Sequence, residues 1–148
     1  MRCLFALSLI FCLSATAQAS DTAPIGIVKE VIGTAVILQG DRKVTPQVGA
    51  DIFLNDDVST GADGGIGISL NDSTTLSLGE NSRLRIDRFV YEPQANKLGF
   101  GMEVMQGTLS YLSGKIGAIA PEQVSVATPS MTIGIRGTKF LLKVKPVR

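Results

Sequence analysis

The chain has 148 residues, a formal net charge of +1, 45% hydrophobic and 18% charged side chains, and no histidine. Without histidine the usual general base is missing, and with it the Ser-His-Asp and Cys-His arrangements and most zinc or copper ligand sets. The near-neutral balance gives no electrostatic case for nucleic-acid binding, and the length suits one domain with a core.

The N-terminus reads as an export signal. Arg2 precedes the apolar run Cys3 to Leu13, and Ala17-Gln18-Ala19 supplies the small residues of a cleavage site, so the mature chain is expected to begin near Ser20. The apolar run is shorter than the roughly 20 residues that span a bilayer, and polar Ser14, Thr16 and Gln18 follow it. Bulky Phe11 ahead of Cys12 argues against lipidation. Both cysteines, Cys3 and Cys12, fall inside the signal, so the exported chain has no internal disulfide and depends on packing and backbone pairing. The expected organisation is a cleavable signal over residues 1–19 and one β domain over residues 20–148. The expected location is periplasmic, with secretion or surface display as the alternative.

From Ile25 onward the dominant period is two. Ile66, Ile68 and Leu70 alternate with Gly and Ser, Leu76 and Leu78 flank Ser77, and Leu84 and Ile86 flank Arg85. Met131, Ile133 and Ile135 repeat the pattern, and each group predicts a short strand with one buried face. Gly40-Asp41, Asp63-Gly64-Gly65, Asn71-Asp72, Gly79-Glu80-Asn81, Pro93 to Asn96 and Ser113-Gly114 are turn chemistry between them. No window carries a helical stripe, since Gly, Thr, Ser and Val dominate the periodic segments. The prediction is an all-β single domain. Residues 67–72, 75–81 and 83–87 form a weak repeat of short rungs, which fits a solenoid-like stack, though a conventional sandwich-like fold would share the pattern. A membrane barrel would need strands of roughly ten residues with aromatic girdles, and this chain has no Trp and two Tyr.

Asp56, Asp57 and Asp63 are the densest acidic cluster, but their spacing is not that of a calcium loop, and they read as turn carboxylates that cap their own backbone. Glu80 and Asp87 could suggest a glycosidase pair, yet nothing fixes their separation. No enzymatic activity, metal or cofactor is expected. Arg83, Arg85, Arg88 and Lys97 are expected to form a positive strip on one outward strand face. Lys139, Lys143 and Lys145 alternate with Phe140, Leu142 and Val144, a pattern of solvated edge lysines that block strand-on-strand aggregation. An anionic envelope polymer is the alternative partner for these cations.

Several blocks together carry a family resemblance. Leu54 to Gly61, Ile66 to Leu70 with Asn71-Asp72-Ser73, Leu76-Ser77-Leu78, Gly107-Thr108-Leu109 and Val126 to Phe140 resemble successive blocks of the FecR domain, over about Gly33 to Val144. The last block, Thr128-Pro129 through Ile135-Arg136-Gly137-Thr138-Lys139-Phe140, is the most specific. The resemblance implies a β-rich periplasmic module. Its best-known use is in regulators that relay ferric-citrate or ferric-siderophore occupancy from a TonB-dependent outer-membrane receptor to a cytoplasmic sigma factor. Those members carry an anti-sigma segment and a membrane helix ahead of the domain, where this sequence carries an export signal. What the resemblance implies here is the fold and its use as an extracytoplasmic interaction module with an envelope or outer-membrane protein as partner. A structural or cell-wall-associated scaffold is the other class of function.

Within the signature block, Pro129 marks a corner, and Gly134 and Gly137 bracket Arg136, with Thr138 following. The glycines are expected to let the backbone approach a neighbouring rung while Ile133 and Ile135 stay buried. Arg136 is expected either to tie down the last strand through a carboxylate or turn carbonyls, or to recognise a partner's carboxylate. The first reading predicts that Arg136→Ala lowers thermal stability. The candidate interaction or structural residues are thus Arg136, Gly134, Gly137 and Thr138, with Arg83 and Arg85 from the basic strand.

Overall fold

The computed structural model describes residues 22–146. The expected export signal, residues 1–19 with Cys3 and Cys12, lies outside the described residues. In chain order the strands are β1 (Gly26–Ile32), β2 (Ala35–Gln39), β3 (Arg42–Val44), β4 (Asp51–Ile52), β5 (Asp57–Thr60) and β6 (Gly65–Leu70). They continue with β7 (Thr75–Leu78), β8 (Arg83–Glu92), β9 (Lys97–Leu112), β10 (Val124–Ala127), β11 (Thr132–Gly134) and β12 (Lys139–Val144). One short helix, α1 (Lys115–Ile119), follows β9. The expected reversals fall where the turn residues stand, several with positive φ at residues that tolerate it, such as Asn81 (48°) and Asn96 (52°).

The strands form one sheet in the order β3-β2-β5-β8-β9-β7-β6-β1-β4, with β10, β11 and β12 attached beside that path. The sheet curls into a half-barrel. Its pairing is antiparallel except for β10 against β9. The rungs do not stack as a solenoid, since β6 and β7 are antiparallel hairpin neighbours with Ile68 opposite Leu76 whereas a coil would stack its rungs in parallel, and in place of the two packed sheets of a sandwich one sheet curls on itself.

The curl has a local cause. β1 runs into β2 through Gly33-Thr34, β5 into β6 through residues 61–64, and β7 into β8 through residues 79–82, while β9 passes unbroken through Gly107. These four crossings lie beside one another and are stitched by hydrogen bonds. The Gly61 amide donates to the Thr34 carbonyl (2.9 Å) and the Asn81 amide to the Gly61 carbonyl (2.9 Å). Thr60 Oγ1 donates to the Gly79 carbonyl (2.6 Å) and accepts from the Ser82 amide (2.9 Å). Ser82 Oγ accepts from the Thr108 amide (2.9 Å), and the Gly79 amide donates to the Thr108 carbonyl (3.0 Å). Gly107 sits at φ 90°, and a Cβ there would overlap Ser82.

Inside the curl the alternating residues meet as one core that includes Val28, Ile37, Ile68, Leu84, Phe100 and Tyr111, each almost wholly shielded from solvent. Each such side chain contributes about 1.5–3 kcal/mol by leaving water. An aromatic column crosses the core from β8 to β12. Phe89 meets Phe100 edge-on (6.5 Å between centroids), Phe100 stacks with Tyr111 (6.0 Å), and Tyr111 stacks with Phe140 (4.7 Å).

Two details depart from the sequence expectation. The helical turn α1 lacks a stripe of its own and is held from 44 positions away, by the wholly buried Asp72 of the β6–β7 turn. That carboxylate accepts from the Thr74 amide (3.0 Å), the Thr74 hydroxyl (2.8 Å) and the Ile116 amide (3.1 Å), while the Asp72 carbonyl accepts from the Lys115 amide (2.8 Å). The second departure is at Met131, Ile133 and Ile135, which do not form a buried strand face. β11 has three residues and pairs on one side alone, so Met131 is 58% exposed and Ile133 and Ile135 are half-buried. No helix among the described residues is long and apolar enough to cross a membrane.

Gly107→Ala is expected to cost on the order of 2 kcal/mol or more, because the left-handed backbone and the Ser82 contact both oppose a side chain there. Urea denaturation of the two proteins measures the difference, and an unchanged midpoint would remove the crossing line as the reason for the curl.

Candidate interaction seam at the open side of the sheet

The basic strand face is not a row of free cations. β5 lies against β8 with Asp57 opposite Arg85 and Ser59 opposite Arg83. Arg83 grips the buried Asp57 carboxylate with two donors, Nε at 2.9 Å and Nη2 at 2.6 Å, and Arg85 Nη2 adds a third at 3.1 Å. Burial alone would raise the Asp57 pKa, but the hydrogen bonds and charges of Arg83 and Arg85 outweigh it and hold the carboxyl below the usual carboxylate range. Farther along, Arg88 donates to Gln123 (2.9 Å), and Lys97 stands 3.8 Å from Glu92. The expected positive strip is therefore largely spent in pairing, because the neighbouring strand brings a carboxylate that reads in sequence as part of a turn.

The acidic cluster disperses in the same way. Asp56 caps its own turn, accepting from the Phe53 amide (2.9 Å) and from Gln39 (3.1 Å), and burial pushes its carboxyl up from the ordinary value. Asp57 belongs to the arginines, and Asp63 is exposed in the next turn. Among the described residues no group of three or more Cys, Asp or Glu side chains is placed to hold a metal ion. Glu80 and Asp87 are both exposed, the first on the β7–β8 turn and the second on β8.

The signature block lies elsewhere. β8 and β7 follow one another along one edge of β9, with Arg83 opposite Gln106 and Leu78 opposite Leu109. β10 and β12 take the other edge, β10 against residues 100–103 and β12 against residues 107–112. β11 leads into β12 through residues 135–138, but β10 and β12 both run toward the bend from opposite ends of β9, so none of the described strands continues across the bend on this edge and a seam separates β11 from β12. The seam holds two adjoining hollows of about 480 Å³ and about 300 Å³. Ile133 and Ile135 line it from the β11 side, and Phe140, Leu142 and Val144 from the β12 side.

Of the four residues singled out around the signature arginine, two border this seam and two set the start of β12. Arg136 and Gly134 line the smaller hollow. Arg136 is exposed and makes none of the ion pairs or side-chain hydrogen bonds among the described residues, so no carboxylate ties it down. Gly134 faces open space rather than a neighbouring rung, and Gly137 is used for its backbone, at φ 145°. The Thr138 carbonyl accepts from the Ser113 amide at 2.7 Å and starts β12. Sequence reasoning singled out neither Asp72 nor the Thr60–Ser82–Thr108 linkage, although Asn71-Asp72-Ser73-Thr74 carries the ordinary signature of a side-chain-capped turn.

A curled all-β sheet with its polar clusters paired off and an apolar seam left open is the form of an interaction module. The family model described as FecR protein matches residues 56–147, more than half of the chain, and the chain belongs to that family. FecR domains are regulatory and signalling modules that act on other proteins rather than known enzymes. The matched range starts at Asp56, past the β1–β4 segment, and takes in the whole seam. No curated protein and no solved structure matches the chain.

Two outcomes follow from this geometry. Arg136→Ala should change stability by less than about 0.5 kcal/mol, as for an exposed side chain without partners, and a thermal midpoint lowered by several degrees would show a packing role instead. Asp57, with a folded-state pKa below its unfolded value, contributes stability present above about pH 4 and lost as the pH falls through the folded value. Asp56, shifted up, acts in the opposite sense. Asp57→Asn should therefore flatten the acid limb of a stability curve measured by urea denaturation across pH 2 to 6, and an unaltered limb would mean the arginine pairing contributes nothing.

Proposed function

We propose that the protein is a non-enzymatic FecR-family module of the cell envelope that binds another protein through the β11–β12 seam. The observation that carries this reading is the convergence of the family's signature block on the side of the sheet left open, where apolar side chains and an arginine without a partner among the described residues remain on the surface. In this reading the module works in the periplasm after export. The signalling members of the family suggest a TonB-dependent receptor, and hence ferric-citrate or siderophore regulation, as its setting. A scaffold that assembles by its own edges is the second reading, since β11 and β12 both end the sheet, but Lys139 and Lys143 on the last strand and Lys145 just past it oppose it.

Chemical crosslinking of the protein in intact envelope, followed by identification of what is captured, tests the reading. Recovery of a TonB-dependent receptor or another envelope protein is the expected result. Recovery of wall material alone, or growth of the purified protein into large assemblies in a light-scattering concentration series, would overturn it.

A further inference from the structure

We propose that the free edge of β12 receives an extended segment of a partner protein, alternating acidic and apolar residues, which adds to the sheet as a further strand and covers the seam. This rests on the interaction-module reading above and specifies how the partner is bound.

The backbone argument starts from one bond. The Thr138 carbonyl points at β9, where it takes the Ser113 amide at 2.7 Å. Successive residues of a strand direct their amides and carbonyls to opposite sides. The register of β12 on β9, with Phe140 opposite Tyr111 and Leu142 opposite Leu109, therefore turns the backbone groups of Lys139, Leu141 and Lys143 outward. No strand pairs with that side among the described residues. An incoming strand finds a ready row of donors and acceptors there.

The side chains set the pattern that the segment must have. On one face of β12, Phe140, Leu142 and Val144 are half-buried against the core and border the seam. On the other, Lys139, Leu141 and Lys143 are exposed, Leu141 to 74%. A strand added at this edge continues both faces, because side chains alternate with period two. It would place apolar residues over the hollows beside Ile133 and Leu142, and carboxylates in register with Lys139 and Lys143.

Charge separates this occupant from a second copy of the chain. Residues 124–146 carry Arg136, Lys139, Lys143 and Lys145 and no carboxylate, whereas acidic side chains outnumber basic ones over residues 22–123. Two copies of β12 paired edge to edge would set lysines against lysines, which is destabilising. An acidic strand meets four cations, of which Arg136 has no ion-pair partner among the described residues and stands at the rim of the smaller hollow.

The test uses the protein with a short soluble peptide alternating valine and glutamate, and a control alternating valine and lysine, followed by fluorescence anisotropy at low and high salt. The acidic peptide should bind, more weakly at high salt, and the basic one should not. Leu141→Pro removes an outward amide without touching the β9 ladder and should weaken binding by roughly tenfold or more. Should that variant fail to fold, Lys139→Glu with Lys143→Glu, both on exposed side chains, should give a loss of similar size with the thermal midpoint kept. Equal binding of both peptides, undiminished affinity in folded variants, or association of the chain with itself in place of peptide would overturn the proposal. A photocrosslinker at position 141 in intact envelope separates this inference from the broader reading. Capture of a protein from Met131, which is exposed at the seam, but not from 141 leaves the module reading and sinks the edge, and capture from neither sinks both.

Discussion

The Thr60–Ser82–Thr108 linkage is the constraint on which the architecture depends. Thr60 ends β5, Ser82 immediately precedes β8 and Thr108 lies within β9, and two hydroxyls satisfy backbone groups where three segments of the chain bend together. A bend in a sheet normally strands amides and carbonyls that had ladder partners, and such groups cannot be left buried and unpaired. Here the hydroxyls replace the missing ladder bonds. They accept from the Ser82 and Thr108 amides and donate to main-chain carbonyls, so these groups stay paired where the sheet turns through the line. Because the crossings align, the two halves close over one core, and Phe100 and Tyr111 of the same strand stack across the bend.

The open seam is the complement of that line. On one edge of β9 the sheet is bent but continuous, since β7 runs into β8 through a short turn. On the other edge β10 arrives in parallel from α1 and a 3-10 turn, reverses into β11, and leaves β12 to come back from the opposite end. β10 and β12 both run toward the bend, from opposite ends of β9, so neither strand continues through it into the other. The gap is thus a consequence of topology, and the apolar residues of both flanks remain partly in water because nothing in the sheet order can cover them.

The fold was legible in the sequence where period and turn chemistry agreed. Ile66, Ile68, Leu76, Leu78, Leu84 and Ile86 are all buried, and the turns at Gly40-Asp41, Asn71-Asp72 and Pro93 to Asn96 close the hairpins that their residues suggest. Illegible were the features that depend on contacts far apart in the chain. The turn of helix at Lys115–Ile119 depends on Asp72, and the fate of Arg83 and Arg85 depends on Asp57. Period two says which face of a strand is inward but not which strand lies beside it, so it could not tell paired arginines from free ones. The same blindness made Ile133 and Ile135 look buried. Their alternation is real, yet a strand paired on one side at the end of a sheet shields only part of what it turns inward.

The signature block shows why a motif can be the most specific part of a chain and still contribute little to its packing. Gly137 is needed for its backbone angle, and Thr138 begins the strand that carries Phe140 onto Tyr111. Those two residues and the aromatic stack account for how β12 docks. They do not account for Arg136, which is exposed, or for Leu141, which turns a large apolar side chain to solvent between two lysines. A strand edge guarded by lysines resists its own kind, while the apolar residue between them gives a chosen partner something to cover. Exclusion of like edges and admission of an acidic one are then the same property of β12, and the near-zero net charge of the whole chain conceals it.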